Sequence, residues 1–307
     1  MKILLTGARG MVGRNILNHC ESKKNSLLTP SSSELNLLDS VQVNDYLIKE
    51  KPDFIIHAAG VVGGIHANIN NPVRFLVDNM LMGINLIIAA KNSGVKHLLN
   101  LGSSCMYPKD MGIALSEDLI LKGELEPTNE GYALAKITSA RLCEFINREN
   151  PEFLYKTAIP CNIYGKFDKF DEENSHMIPA VIRKLVEAVN ERKDSVEIWG
   201  DGEARREFMY AEDLADFIFF AIKNFSFMPQ NLNVGVGYDY SINDYYKTIA
   251  KVVGYKGTFK YDLTKPVGMK MKLIDSTLLS NFGWHSKTGL TSGIEKTYEF
   301  FLNESSK

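Results

Sequence analysis

Lys2-Ile3-Leu4-Leu5-Thr6 runs directly into Gly7-Ala8-Arg9-Gly10-Met11-Val12-Gly13. Residues 2–6 read as a short buried strand, and residues 11–20 have helical spacing. Between them stand three glycines in the pattern G-x-x-G-x-x-G. A tight strand-to-helix turn needs residues without a Cβ there. It lets the backbone approach a pyrophosphate, whose charge then rests at the helix N-terminus. Three glycines alone are a common loop pattern; their weight comes from heading an alternating chain. Residues 25–29, 53–57, 96–101 and 153–159 read as further strands. Residues 41–49, 72–93 and 129–148 read as helices between them, with Gly94 as a stop. The alternation predicts an α/β protein, a Rossmann doubly wound parallel sheet with helices on both faces.

After about residue 160 the pattern changes. Residues 166–175 are polar and rich in acidic side chains, and read as a loop. Residues 175–191, 211–223, 241–253 and 290–302 read as helices, and 196–199 and 231–234 as strands. We expect residues 1–160, with about 211–236 returning to the sheet, to form the dinucleotide-binding domain. Residues 161–210 and 237–307 form a smaller, interrupted substrate domain.

Composition sets the class. The chain has 307 residues, 45% hydrophobic and 23% charged, with a formal net charge of -2. That supports one large core or two modest ones. No excess of Lys and Arg points to nucleic acid or a membrane surface. No signal-peptide core and no run of about 18 apolar residues stands out, so no membrane span is expected. Cys20, Cys105, Cys143 and Cys161 lack metal-ligand spacing; no metal site is expected, and the thiols read as reduced. A cytoplasmic protein fits these features.

The second strand ends in Pro30-Ser31-Ser32-Ser33-Glu34. Serine hydroxyls such as those of Ser32 and Ser33 can donate to a 2′-phosphate, and Arg9 can add a positive charge. Glu34 is the rival, since an acidic residue facing the ribose hydroxyls favours NAD. The balance points to NADP(H).

Tyr132-Ala133-Leu134-Ala135-Lys136 falls early in a predicted helix. Residues four apart share a face, so phenol and ammonium point the same way. A nearby ammonium is expected to lower the phenol pKa and make Tyr132 an acid or base near neutral pH. Such a pair is most often a solvated helix face. Here the strand Leu98-Leu99-Asn100-Leu101 ends in Gly102-Ser103-Ser104, which puts a hydroxyl at the same sheet edge.

With these residues the chain resembles the extended short-chain dehydrogenase/reductases over essentially its whole length. The resemblance takes in the Gly7 turn, His57-Ala58-Ala59-Gly60, Ser103-Ser104 with Tyr107, and Tyr132/Lys136. It continues through Asn162-Ile163-Tyr164-Gly165 and Arg206-Glu207-Phe208-Met209-Tyr210-Ala211-Glu212-Asp213. It implies that Ser103 polarises a substrate oxygen, Tyr132 transfers a proton, and Lys136 also holds the nicotinamide ribose. It implies cofactor contacts from Gly7, Arg9, Gly10, Met11, Val12, Gly13, Ser32, Ser33, Ala58, Ala59, Leu101, Lys136, Pro160, Asn162, Ile163 and His176.

Within that family the chain resembles the GDP-L-fucose synthases. The matching segments are Val62-Gly63-Gly64-Ile65, Leu101 to Pro108 through Cys105, Glu126-Pro127-Thr128-Asn129-Glu130, Asn174-Ser175-His176-Met177-Ile178-Pro179-Ala180 and Val252-Val253-Gly254-Tyr255-Lys256-Gly257. This likeness implies a bifunctional epimerase/reductase of a GDP-linked 4-keto-6-deoxy sugar. Cys105 and His176 become an acid/base pair. A C4 ketone acidifies the hydrogens at C3 and C5, and inversion needs two groups on opposite faces. The likeness also implies nucleotide-sugar contacts from Ser104, Asn162, Lys184, Trp199 and Arg206, and a homodimer through the helices at 72–93 and 129–148. Taken singly, Cys105 reads as a small buried apolar residue and His176 as a loop histidine. Trp199 reads as core, Arg206 as a salt-bridge partner and Lys184 as solvated. His57 reads as a strand-end residue near the cofactor and His66 as a pocket or surface residue.

Two departures stand out. The basic residue usual after the second strand is replaced by serines near Ser32, so NADPH preference rests on Arg9. The run Lys265-Pro266-Val267-Gly268-Met269-Lys270-Met271-Lys272 lacks a carboxylate at Val267 and an arginine at Met271. That loss allows a different sugar, such as a GDP-4-keto-6-deoxy-heptose, or reduction without epimerisation. A 4,6-dehydratase would carry an Asp-Glu pair where Ser104 and Cys105 stand. A 4-epimerase would need no Cys/His pair. A non-catalytic dinucleotide sensor would need none of Ser103, Tyr132 and Lys136.

Overall fold

The computed structural model describes residues 1–171, 175–265 and 267–305. Its centre is a parallel sheet of six strands. From edge to edge these are Ser26–Leu28, Lys2–Thr6, Phe54–His57, His97–Leu101, Leu154–Pro160 and Asn231–Val234. The chain steps from Lys2–Thr6 to one edge and then crosses to the other side. Strand order therefore reverses beside the first strand, where open α/β sheets bind ligands at their carboxyl ends. Thr6 lies opposite His57, His57 opposite Asn100, and Leu101 opposite Ala158, so these strands finish together.

Alternate strand residues feed opposite faces. Ile3, Leu5, Phe54, Ile56 and Leu99 join Ile16, Phe217 and Ile218 in one core. Leu4, Ile55 and Leu98 join Val43, Leu47, Leu86 and Ile87 in the other. Being buried on both sides, these strands read as continuous apolar runs rather than alternating ones.

Helices Pro72–Asn92 and Glu130–Glu149 pack side by side. At Gly83 a Cβ would fall 2.1 Å from Ser139 Oγ, so glycine there permits the close approach. The first of these helices corrects an expectation. Its 21 residues are long and apolar enough, by composition, to cross a membrane. Its buried residues Phe75, Leu86 and Ile87 instead face the protein core.

The second half builds a separate core from Tyr164, Ile178, Ile182, Leu185, Ile198, Tyr245 and Ile249. It is framed by helices Met177–Asn190, Ile242–Val253 and Leu290–Ser305 and by the parallel pair Ser195–Trp199 and Thr258–Asp262. Ser241 and Asp244 form a reciprocal capping box at the start of Ile242–Val253. Helix Ala211–Lys223 returns to the sheet and supplies Phe217 and Ile218 to the first core. Short pairings tie segments of the second half together. Asn162–Tyr164 runs parallel to Phe208–Tyr210, and Arg205–Arg206 lies between Tyr240–Ser241 and Met271–Lys272.

The first helix stops at Asn18, two residues before its expected end. The next turn is a 3-10 helix, Cys20–Lys24, whose Glu21 N–H donates to His19 Nδ1. Helices Ile65–Asn70 and Thr277–Phe282, strand Thr258–Asp262 and the two-residue strands carry too few residues to show a period.

Candidate active site

The glycine turn is shaped by close backbone approach. Gly7 has φ +72°, and a Cβ there would sit 2.7 Å from the backbone of Ala58 and Ala59. A Cβ on Gly13 would sit 2.2 Å from Gly7 O. Gly10 begins helix Met11–Asn18 with no side-chain cap, so the first N–H groups of that helix stay free for an anion. Arg9 and Gly10 are exposed, and Met11 and Val12 half-buried. Ala58 and Ala59 form the opposite wall; Thr6 Oγ1 lies 2.9 Å from His57 Nδ1 and accepts from Ala59 N–H at 3.3 Å. Burial, followed by the charge of Lys136, pushes His57 down to about 3, so it stays neutral. These residues fit a dinucleotide: a cradle without side chains, an open helix terminus and an adjacent cation.

Beside that cradle lie the proton-handling groups. Lys136 is buried in the helix Glu130–Glu149 and donates to Leu101 O at 2.8 Å. Ser103 and Cys105 follow on the same chain segment. Ser103 Oγ accepts from Cys105 N–H at 3.3 Å and so starts the 3-10 turn Ser104–Met106. Ser104 and Cys105 are buried. Lys136 Nζ stands 5.6 Å from the centroid of the Tyr132 ring.

The electrostatics differ from expectation at Tyr132. Burial, followed by the charge of Cys105, raises the phenol above its usual range. Lys136 is pushed down to about 8 by burial. Tyr132 is therefore held as a neutral O–H, the form in which it donates a proton. The Cys105 thiol is also raised by burial, opposed first by the Lys272 ammonium, then by Ser103 and Lys136.

Lys272 and Asp168 are residues that sequence reasoning did not single out. Lys272 lies opposite Arg206 in a two-residue strand, and burial lowers its pKa. No periodicity marks that strand. Asp168 lies in the acidic loop, its side chain almost fully buried, 3.5 Å from His176 Nδ1. A carboxylate there orients the imidazole and leaves Nε2 for chemistry. The spacing from 168 to 176 gave no helical or strand signal.

His176 begins helix Met177–Asn190 and is half-buried. The loop 60–64 ties it to the pocket. A Cβ on Gly60 would lie 3.9 Å from Lys136 Nζ, and one on Gly64 3.2 Å from Ser175 O. The loop 60–64 therefore runs from beside Lys136 to beside Ser175, the residue before His176. Asn174 lies outside the described residues.

The remaining predicted contacts lie on later segments of the chain. Pro160 closes its strand, and Ile163 and Asn162 follow it; Asn162 Nδ2 donates to Glu207 O at 2.9 Å. Lys184 donates to the carbonyl of Glu197, which pins it beside the Trp199 strand. Trp199 is 38% exposed, met edge-on by His66 at 5.4 Å and faced by Lys265 Nζ at 5.7 Å. Arg206 donates to Arg205 O and Val267 O, each at 2.8 Å. Ser32 and Ser33 are exposed at the end of the second strand.

Residues 3–235 match the family described as "NAD dependent epimerase/dehydratase family". The chain belongs to that family. It is 70% identical over 304 residues to GDP-L-colitose synthase of Yersinia pseudotuberculosis, covering 99% of each chain. It is 46% identical over 301 residues to GDP-L-fucose synthase of Azorhizobium caulinodans, covering 98% of this chain and 96% of that one. Among solved structures it is similar to MlghC, GDP-mannoheptose C4 reductase from Campylobacter jejuni with NADP bound. That likeness has TM-score 0.87 and 29% identity, over 98% of each chain.

Proposed function

We propose that this protein is an NADPH-dependent epimerase/reductase of a GDP-linked 4-keto-6-deoxy sugar, and that its product is GDP-L-colitose. The observation that carries the reading is the buried Lys136–Leu101 contact, which gathers Ser103, Cys105 and Tyr132 beside the glycine cradle. The 70% identity to a GDP-L-colitose synthase supports the product. Colitose is a 3,6-dideoxyhexose, so C3 carries no hydroxyl to invert and the Cys105/His176 pair need act only at C5.

The ketone at C4 acidifies the C5 hydrogen. One of Cys105 and His176 removes that proton, and its electron pair moves onto the C4 oxygen. Neutral O–H groups of Ser103 and Tyr132 stabilise the enolate. The other member of the pair returns a proton to the opposite face of C5. Asp168 holds the imidazole for this exchange. When bound, NADPH would supply the hydride that reduces C4. Tyr132 protonates the C4 oxygen, and Lys136 holds the cofactor ribose against Leu101. Gly7, Gly10 and Gly13 take the pyrophosphate, with Arg9, Ser32, Ser33, Ala58 and Ala59 around the rest of the cofactor. Ser104, Asn162, Lys184, Trp199 and Arg206 meet the GDP-sugar. The cofactor half comprises residues 1–160 with about 211–236.

A GDP-4-keto-6-deoxy-heptose is the second reading. The apolar Val267 in the rim and the likeness to a mannoheptose C4 reductase support it. The exposed side chains Val73, Val77 and Leu81 stand four apart on Pro72–Asn92, and Leu134 and Phe145 are exposed on Glu130–Glu149. They support a homodimer through both helices.

The test is incubation with NADPH in deuterated water, using GDP-4-keto-3,6-dideoxymannose, GDP-4-keto-6-deoxymannose and the heptose ketone side by side, with products read by NMR. The proposal expects fastest turnover of the dideoxy ketone, with deuterium at C5 and an L-sugar product. Faster turnover of either other ketone, or reduction without deuterium at C5, would refute it.

A further inference from the structure

Helix Met11–Asn18 holds a loop that belongs to the second half of the chain. Asn15 is buried in that helix, and its side-chain amide donates twice, to Met11 O at 2.9 Å and to Lys166 O at 3.0 Å. Both amide hydrogens are thereby used, one inside the helix and one on the distant loop. The next loop residue, Phe167, has φ +68°. That left-handed conformation is unfavourable for a residue with a Cβ and persists only where its surroundings hold it. The Arg14 guanidinium lies 3.9 Å over the Phe167 ring, and the Phe300 ring from helix Leu290–Ser305 meets it edge-on at 5.1 Å. Lys166 Nζ adds a bond to Glu212 Oε1 at 2.7 Å.

Asp168 follows the strained residue directly. Its N–H donates to Gly165 O at 3.3 Å. Its side chain is buried, with Oδ1 accepting from Lys169 N–H at 2.8 Å and lying 3.5 Å from His176 Nδ1. Asp168 Oδ2 is buried with no hydrogen-bond partner among the described residues. Burying a carboxylate so incompletely satisfied costs stability. A loop shaped for packing alone would favour an apolar side chain at that position. A strained backbone and a buried carboxylate at neighbouring residues are both explained if the loop serves to set the imidazole. A carboxylate that accepts from Nδ1–H fixes the tautomer and the ring plane.

We propose that helix Met11–Asn18 positions His176 for inversion at C5, through Asn15, Phe167 and Asp168. These three are positioning residues, each placing the next: Asn15 holds Lys166 O, Phe167 sets the turn, and Asp168 meets Nδ1. An imidazole that moves a proton at one face of a ring carbon is sensitive to such placement. A displacement of about 1 Å can cost about a hundredfold in rate. The inference rests on the reading of His176 as one of the C5 pair.

The test is a single-turnover inversion assay. The full chain is held in saturating excess over GDP-4-keto-3,6-dideoxymannose, with NADP+ in place of NADPH. Samples are quenched with borohydride, and the C5 configuration is read by NMR. Rates are taken per NADPH-binding site titrated by fluorescence, so a smaller folded fraction does not move them. Asp168→Ala should slow inversion about tenfold or more, and Asn15→Leu and Phe167→Ala about threefold or more each. Asp168→Asn keeps an acceptor for Nδ1–H and should stay within about threefold of wild type. A wild-type rate in any of Asp168→Ala, Asn15→Leu and Phe167→Ala would overturn the inference. So would Asp168→Asn as slow as Asp168→Ala, which would assign the role to charge and not to position. His176→Gln should abolish inversion; a wild-type rate there would instead refute the C5-pair reading itself.

Discussion

The proposed dinucleotide edge and the proposed sugar-side rim are built in opposite ways. The edge is made of backbone: Gly7 against Ala58 and Ala59, Gly13 against Gly7, and Leu101 O on Lys136. Its pieces end adjacent strands of one sheet. The rim is made of side chains on short segments: Trp199, Arg206 and Lys272, brought together by pairings of two to five residues. Chemistry common to a family is housed where geometry is rigid. Choice of substrate is housed where one side-chain change leaves the sheet untouched.

If that contrast holds, edge substitutions should cut turnover or stability, and rim substitutions should mainly change affinity. The largest effect is expected for Tyr132→Phe, which should slow reduction by about 10²- to 10⁴-fold with the melting temperature unchanged; steady-state kinetics and calorimetry check both. Next comes Gly13→Ala. Its Cβ would meet backbone that cannot rotate away, and denaturant unfolding should show a loss of about 1–3 kcal/mol together with weaker dinucleotide binding. Trp199→Ala should raise KM by roughly tenfold and leave kcat nearly constant. An equal fall in kcat would erase the distinction between edge and rim.

The smallest effect concerns pH. Burial lowers Lys136 to about 8, so its ammonium is lost as pH rises through that value. Turnover at low cofactor concentration should decline on the alkaline side of about pH 8. Between there and the ordinary lysine range the unfolded chain binds more protons than the folded one, so this group makes stability rise with pH. Activity and stability should therefore diverge in that window. A parallel decline of both would assign the alkaline limb to another group.

The same contrast explains what could be read from sequence. Continuous apolar strands, the glycine spacing and the four-residue step from Tyr132 to Lys136 are local signals, and the structure keeps them local. The paths by which Asp168 reaches His176 and Lys272 reaches Arg206 are not local. Each depends on a loop or two-residue strand placed by a remote core. The neutral state of Tyr132 was likewise hidden, because it follows from desolvation by surrounding elements and not from its helix neighbour.

The central claim is that one pocket first moves a proton at carbon and then delivers one to oxygen. It is tested most directly by Cys105→Ser with NADPH in deuterated water, comparing deuterium at C5 with the rate of NADPH oxidation. The account predicts that inversion at C5 is lost, while a C4-reduced, uninverted sugar still forms. Inversion with full deuterium incorporation in Cys105→Ser would contradict it.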